Sequence, residues 1–311
     1  MKKIILNMLL VIILPIAVTF AATFISPNLR LGMGSFSVKD HLLGKKILVE
    51  TQGLYKDVDV EEYVVGVMAQ TVPADYDMEA LKTVAVLIRT NVLKEMEEQA
   101  TNNEEDLSYQ YLSKEERKKL WGKKNFQKIE GCYEQAVSST AGQVIYYKNE
   151  LIMACYHEVS IGKTASGKEI LGEDIPYLQS VESSQDVEAK NYMNVKTVTM
   201  EEYNKLVKEK TEGKDRSIKI EESSKQGFVK RIRIGEKTYT GKEAMEQLGL
   251  PSANFYIEET KDGFRFVCLG KGDCLGVSLY GANQMAQKGS TYDEIIAHYY
   301  KDVHIKSAID S

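Results

Sequence analysis

The stretch that most constrains this chain is VEEYVVGVMAQTVPADYDMEALKTVAVLIRTNVLKEM, residues 60–96. A short apolar segment, a polar turn marked by Pro73 and a longer segment of helical period predict two helices joined by a tight turn. In the second helix Leu81, Val84, Ala85, Ile88 and Val92 recur at i, i+3, i+4, i+7 and i+11, an apolar stripe that must be buried against another element. Asp77 is placed to cap that helix, and Glu79 to favour its positive N-terminal end. Arg89, four residues after Ala85, falls beside the stripe, so a permanent cation is held at the margin of something buried.

A chain of 311 residues, 43% hydrophobic and 27% charged, can enclose a sizeable core around this pair. Its 40 basic and 45 acidic residues give a net charge of -5 with the signs intermixed, which excludes the concentrated basic surface that nucleic acid requires. The four cysteines, Cys132, Cys155, Cys268 and Cys274, are too few for a disulfide scaffold.

Residues 1–25 predict a signal-anchor transmembrane helix. Lys2 and Lys3 precede an uncharged run from Ile4 to Ile25 long enough to cross ~30 Å of hydrocarbon, and the basic flank favours an N-terminus inside, with Ser26 onward outside. A cleaved signal peptide is the competing reading, disfavoured by the length of the apolar run and by the lack of a clear small-residue cleavage site. Residues 26–46 read as a tether and residues 47–305 as the functional domain. Ile47 to Asp59 suggests a strand or hairpin, and the Glu- and Lys-rich run 94–124 a solvated helical face or exposed insertion. A helix is expected over Ile129–Ala141, then a hairpin with strands Gln143–Tyr147 and Leu151–Tyr156 joined by Lys148-Asn149-Glu150. Val195 to Lys210 reads as a strand then a helix, the helical part carrying Tyr203, Leu206 and Val207, with further strands over Ile218–Ile220 and Phe228–Ile234 and a helix over Gly241–Leu248 capped by Gly249. A strand pair folds about Asp262-Gly263. The fold class is therefore α+β, mixed sheets around a central two-helix motif.

Three motifs carry a family resemblance. Glu62, Tyr63, Val64, Gly66, Val67, Pro73, Glu79, Ala80, Leu81, Lys82, Ala85, Val86, Arg89 and Thr90 form the first. His157, Ser160, Gly162 and Thr164, followed by Pro176-Tyr177-Leu178-Gln179-Ser180-Val181-Glu182-Ser183, form the second. Gly270 to Ala282, continuing to His298, Tyr299 and Tyr300, forms the third. Together they resemble the SpoIID/LytB family, the stage II sporulation protein D proteins, over roughly residues 47–305. The resemblance implies an extracytoplasmic peptidoglycan lytic transglycosylase, in which one carboxylic acid protonates the glycosidic oxygen and its carboxylate then assists attack by the sugar's own primary hydroxyl.

This chain departs from the family pattern where the chemistry would occur. The family's catalytic glutamate position is Thr71, whose hydroxyl is far too weak an acid for that step. Asp273 replaces a histidine, Cys274 a glycine, Leu279 a glutamine and Ile161 a glycine, the last putting the loop path in question because a β-branched residue resists positive φ. Asp273 is the candidate for a displaced acid. Arg89, Ser160, Lys163, Thr164 and Tyr280 supply donors and an aromatic face suited to sugar hydroxyls and acetamido groups. Cys268, Cys274, Asp273 and His157 invite a metal reading, but Cys-x5-Cys is not a common zinc spacing and the partners come from distant loops. Packed or free cysteines are expected, a Cys268–Cys274 disulfide being the alternative, with no metal or other cofactor. The expectation is a membrane-anchored SpoIID-like protein that binds peptidoglycan glycan strands or other envelope and sporulation proteins. An active transglycosylase using Asp273 is the alternative.

Overall fold

A computed structural model describes residues 44–51, 53–207 and 217–308. The expected transmembrane helix and nearly all of the tether lie outside the described residues, and among those described no helix is long and apolar enough to cross a membrane. The two predicted helices are present as α1 (Val60–Thr71) and α2 (Met78–Glu98). Asp59 caps α1 by accepting from the Glu61 N–H at 2.9 Å, and Asp77 caps α2 by accepting from the Glu79 N–H at 3.0 Å.

Helix α2 is more deeply placed than a single stripe implies. Every residue from Thr83 to Leu93 is buried. Leu81, Val84, Ala85, Ile88 and Val92 face a first core shared with Tyr63, Val64 and Met68 of α1, whereas Ala80, Val86 and Leu87 face a second core. A helix covered on both sides needs apolar groups all round, and so the stripe read from periodicity is only one of two. Arg89 lies inside this packing, not at its margin.

The Glu- and Lys-rich run 94–124 corrects a second expectation. Part of it is packed structure: a 3₁₀ turn (Glu104–Asp106), a segment laid along α1, and the first half of a long helix α3 (Lys114–Ser139). The Tyr111 ring stacks on Tyr63 with centroids 5.4 Å apart, against a flank of α1 that Gly66 leaves bare. Arg117 is wholly buried and bridges Glu62 and Glu130, each at 2.7 Å. Charge-rich composition here conceals an internal ion-pair hub. Helix α3 breaks at Gly122, whose φ of 70° and ψ of 154° are not helical, and the break sits directly after Trp121.

Five small sheets surround the helices, giving an α+β fold with eight α-helices among the described residues. Strands β1 (Lys46–Thr51) and β2 (Leu54–Asp59) form the expected hairpin leading into α1. Strand β3 (Gln143–Tyr147) pairs with β4 (Glu150–Leu151) through a two-residue turn in which Lys148 has positive φ, shorter than the turn expected. The chain then leaves that sheet, because β5 (Tyr156–His157) pairs in parallel with β12 (Val277–Ser278), bringing the second and third sequence motifs together. A short helix α4 (Gly167–Ile170) follows. A third core is built by β6 (Met193–Thr199), β10 (Phe255–Thr260) and β11 (Gly263–Leu269), by β7 (Ile218–Ser223), β8 (Val229–Ile234) and β9 (Lys237–Thr240), and by helices α5 (Met200–Val207) and α6 (Gly241–Leu248). Helices α7 (Leu279–Gln287) and α8 (Tyr292–Tyr299) close the second core, and β13 (Val303–Ser307) adds to β3.

Candidate functional site

The turn between α1 and α2 is fixed from two directions. Tyr133 of α3 donates its hydroxyl to the Val72 carbonyl at 2.6 Å, and Asn283 of α7 accepts from the Asp77 N–H at 2.8 Å. Beside this turn opens a cleft of about 380 Å³, lined by Gln70, Thr71 and Pro73 of the turn region, Tyr76, Trp121 and Tyr133 as aromatic walls, and Glu158 and Leu279 from the paired motifs. Burial first, and then the neighbouring Glu158 carboxylate, push the Tyr76 hydroxyl up to about 12, so it is a neutral donor near pH 7.

Thr71 is the last residue of α1 and lines the cleft. Its hydroxyl donates back to the Val67 carbonyl at 2.9 Å, the usual helix-internal use of a threonine, and also meets the Tyr156 hydroxyl. Nothing in that arrangement makes it acidic.

Glu158 is the carboxyl in the cleft. It directly follows β5, and its carbonyl accepts from the Tyr280 N–H at 3.1 Å, tying it to the start of α7. Its side chain pairs with Lys271 at 2.6 Å and accepts from the Asn191 amide. Lys271 is held there by backbone pairing with Val159. Glu158 was missed in the sequence because it stands between the matched His157 and Ser160, at a position the motif does not specify. Trp121, the chain's one tryptophan, was hidden inside the charged run, although a lone Trp beside a glycine was the available signal.

The sequence-predicted residues separate into two groups. Arg89 is fully buried and forms a bidentate pair with Glu61, its Nε 2.9 Å from Oε1 and its Nη2 2.5 Å from Oε2, with further donation to the Val137 and Gln143 carbonyls. It has no surface to offer a sugar. Ser160 is buried, its N–H donating to Asp186 at 2.7 Å and its hydroxyl accepting from Gly162. Thr164 is buried and accepts from the Val181 N–H at 3.0 Å. These three hold the frame. Lys163 and Tyr280 retain solvent access. Asp273 is exposed, spends one oxygen on the Leu275 N–H at 3.0 Å, and is not among the residues lining the cleft.

The loop after His157 keeps a workable path because the positive φ falls on Gly162, at 96°, and not on Ile161. Cys274, by contrast, adopts φ 61° at the position where a glycine was expected. Cys268 and Cys274 are free and sit in different cores. Among the described residues no group of three or more His, Cys, Asp or Glu side chains converges where a metal ion could sit. His157 is buried with Nδ1 2.9 Å from the Leu275 carbonyl, which assigns that nitrogen the proton and leaves Nε2 without a partner. Burial holds its pKa below the usual 6.5.

A family model described as Stage II sporulation protein matches residues 50–147. The chain is 33% identical over 261 residues to the stage II sporulation protein D of Bacillus subtilis (strain 168), across 81% of this chain and 76% of that protein. It is 30% identical over 261 residues to the stage II sporulation protein D of Bacillus amyloliquefaciens, with the same coverage. It is 22% identical over 297 residues to a Bacillus subtilis (strain 168) amidase enhancer, across 78% of this chain and 40% of that protein. A mixed α+β frame built on α1 and α2, with the paired motifs at its cleft, is thus that of a sporulation and cell-wall class of protein. The chain belongs to the SpoIID family.

Proposed function

We propose that this protein binds peptidoglycan glycan strands in the Thr71–Glu158 cleft without cleaving them, and docks there alongside other envelope or sporulation proteins. The reading places it on the extracytoplasmic side of a membrane through its N-terminal apolar run. The observation that carries it is Thr71: at the position the family resemblance assigns to the acid, the cleft presents a hydroxyl already committed to a backbone carbonyl. Tyr76 and Trp121, both partly exposed, supply faces for sugar rings, which need no titrating acid, while Tyr133 is buried behind them.

The alternative, a working transglycosylase, needs a proton donor in the cleft. Asp273 is exposed and engaged as a local cap. The Glu158 side chain is engaged by the Lys271 ammonium and the Asn191 amide in the free protein. Both facts favour binding. The deciding experiment incubates the purified extracytoplasmic part with peptidoglycan sacculi. Co-sedimentation without release of anhydro-muropeptides is expected, and Trp121→Ala should weaken retention. Release of those products, lost in Asp273→Asn, would establish the alternative.

A further inference from the structure

The cleft's chemistry narrows the ligand further. Two partly exposed aromatic side chains, Tyr76 and Trp121, and one carboxyl line it in front of the buried Tyr133, and none of its lining residues is Lys or Arg. Such a surface repels anionic groups and suits a cation: a carboxylate gives a charge-assisted hydrogen bond and aromatic faces attract positive charge. In the free protein a cation already occupies the carboxylate. The Lys271 ammonium lies 2.6 Å from Glu158, tethered there through the backbone pairing of Val159 and Lys271, while the Asn191 amide fixes the other carboxylate oxygen. The side chains of this pair remain 47% and 40% exposed, and exposed pairs are weak, so an incoming ammonium can replace Lys271 at little cost.

We infer that the cleft recognises a primary ammonium group on the peptidoglycan strand, which displaces Lys271 from Glu158 while the neighbouring sugar ring lies against the aromatic walls. The inference rests on the glycan-binding reading above. Two parts of a strand carry such a group: a glucosamine lacking its acetyl, and the side-chain amine of a diamino acid in the stem peptide. The chemistry is shared, and the probes separate the two sources.

The test is calorimetric titration of the full-length protein in detergent with a glucosamine tetrasaccharide, an N-acetylglucosamine tetrasaccharide and a lysine-containing stem peptide. An ammonium-bearing probe should bind more tightly than the acetylated sugar. Glu158→Gln should weaken that probe by about tenfold, the loss of one charged hydrogen bond, and weaken the acetylated sugar by clearly less. Lys271→Met, which removes the internal competitor, should strengthen it by roughly two- to fivefold. Preference for the glucosamine oligomer locates the amine on the glycan, and preference for the peptide locates it on the stem. Both side chains are half-exposed, so both variants should keep the wild-type Tm, and Glu158→Asp serves as a second, charge-retaining variant. Equal binding of acetylated and free-amine sugars, unchanged in Glu158→Gln, overturns the inference and leaves the glycan reading standing. No binding by any probe or by sacculi overturns both. Anhydro-sugar release that depends on Glu158 overturns it too, by making Glu158 a proton donor.

Discussion

Arg89→Met tests whether the motif arginine serves the core or the cleft. The guanidinium is fully buried, makes two contacts to Glu61 and donates to the Val137 and Gln143 carbonyls, so it joins α1, α2 and α3 to the start of β3. Methionine fills similar volume but leaves the Glu61 carboxylate buried with only the Gly142 N–H, donating at 2.9 Å, as its remaining partner. Breaking one side of a buried ion pair costs about 3–5 kcal/mol. In a domain of this size each kcal/mol moves Tm by about 2–4 °C, so a fall of roughly 6–20 °C is expected by differential scanning calorimetry. The double variant Glu61→Gln/Arg89→Met should recover part of the loss, since no uncompensated charge then remains. Below its own Tm, Arg89→Met should bind sacculi as the wild type does. An unchanged Tm with weakened binding would refute this reasoning and return Arg89 to the ligand.

Thr71→Glu introduces a carboxyl at the cleft wall facing Glu158, whose charge would favour the protonated form that a general acid needs. On the proposed reading anhydro-muropeptide release from sacculi should appear, and its absence in a folded variant would refute the assignment of Thr71 to the acid position. Gly66→Ala places a methyl group inside the Tyr111 ring and 2.8 Å from the Leu112 carbonyl, so the segment along α1 must shift at a cost of about 1–3 kcal/mol, readable in a urea titration. His157 gives a pH signature. Its folded pKa lies below the ordinary 6.5, so as pH falls through 6.5 the unfolded chain takes up the proton first and stability is lost, by at most ~1.4 kcal/mol per pH unit until the folded value is reached. Burial raises the pKa of Asp59 and Glu104, which opposes that loss at lower pH. The quantity to measure is therefore the difference in stability between wild type and His157→Gln from pH 7.5 to 5.5, and a flat difference would refute the assignment.

Local rules read much of the fold correctly. The Asp77 cap and the Gly249 end of α6 with its φ of 58° each depend on a few adjacent residues and are found where the sequence puts them, and the expected hairpin forms with its two-residue turn at Lys261-Asp262, one residue before Asp262-Gly263. The failures are long-range. Composition made the run 94–124 a solvated surface, because nothing local reveals that Arg117 meets Glu62 and Glu130 inside the structure. The cleft was illegible for the same reason. Trp121 reaches it through the break at Gly122, and Glu158 reaches it because β5 leaves its hairpin to pair with β12.

That division also explains how a recognisable family frame can accept different side chains at its cleft. Most of the matched positions with a clear structural job are internal: Gly66 admits Tyr111, Arg89 neutralises Glu61, and Ser160 and Thr164 fix the loop that carries Glu158. Gly281 likewise lies where any side chain would strike the Tyr299 and Ser183 hydroxyls. Substitution at these sites is opposed by packing and buried charge, at costs from about 1–3 kcal/mol for an overpacked glycine to about 3–5 kcal/mol for a broken buried ion pair. Thr71, Glu158 and Asp273 face the cleft or solvent, where a change of side chain costs the fold little. On the proposed reading the frame constrains where a strand can lie and the identity of residues 71 and 158 sets what happens to it there, so Thr71→Glu and Glu158→Gln should alter chemistry and affinity without moving Tm as Arg89→Met does.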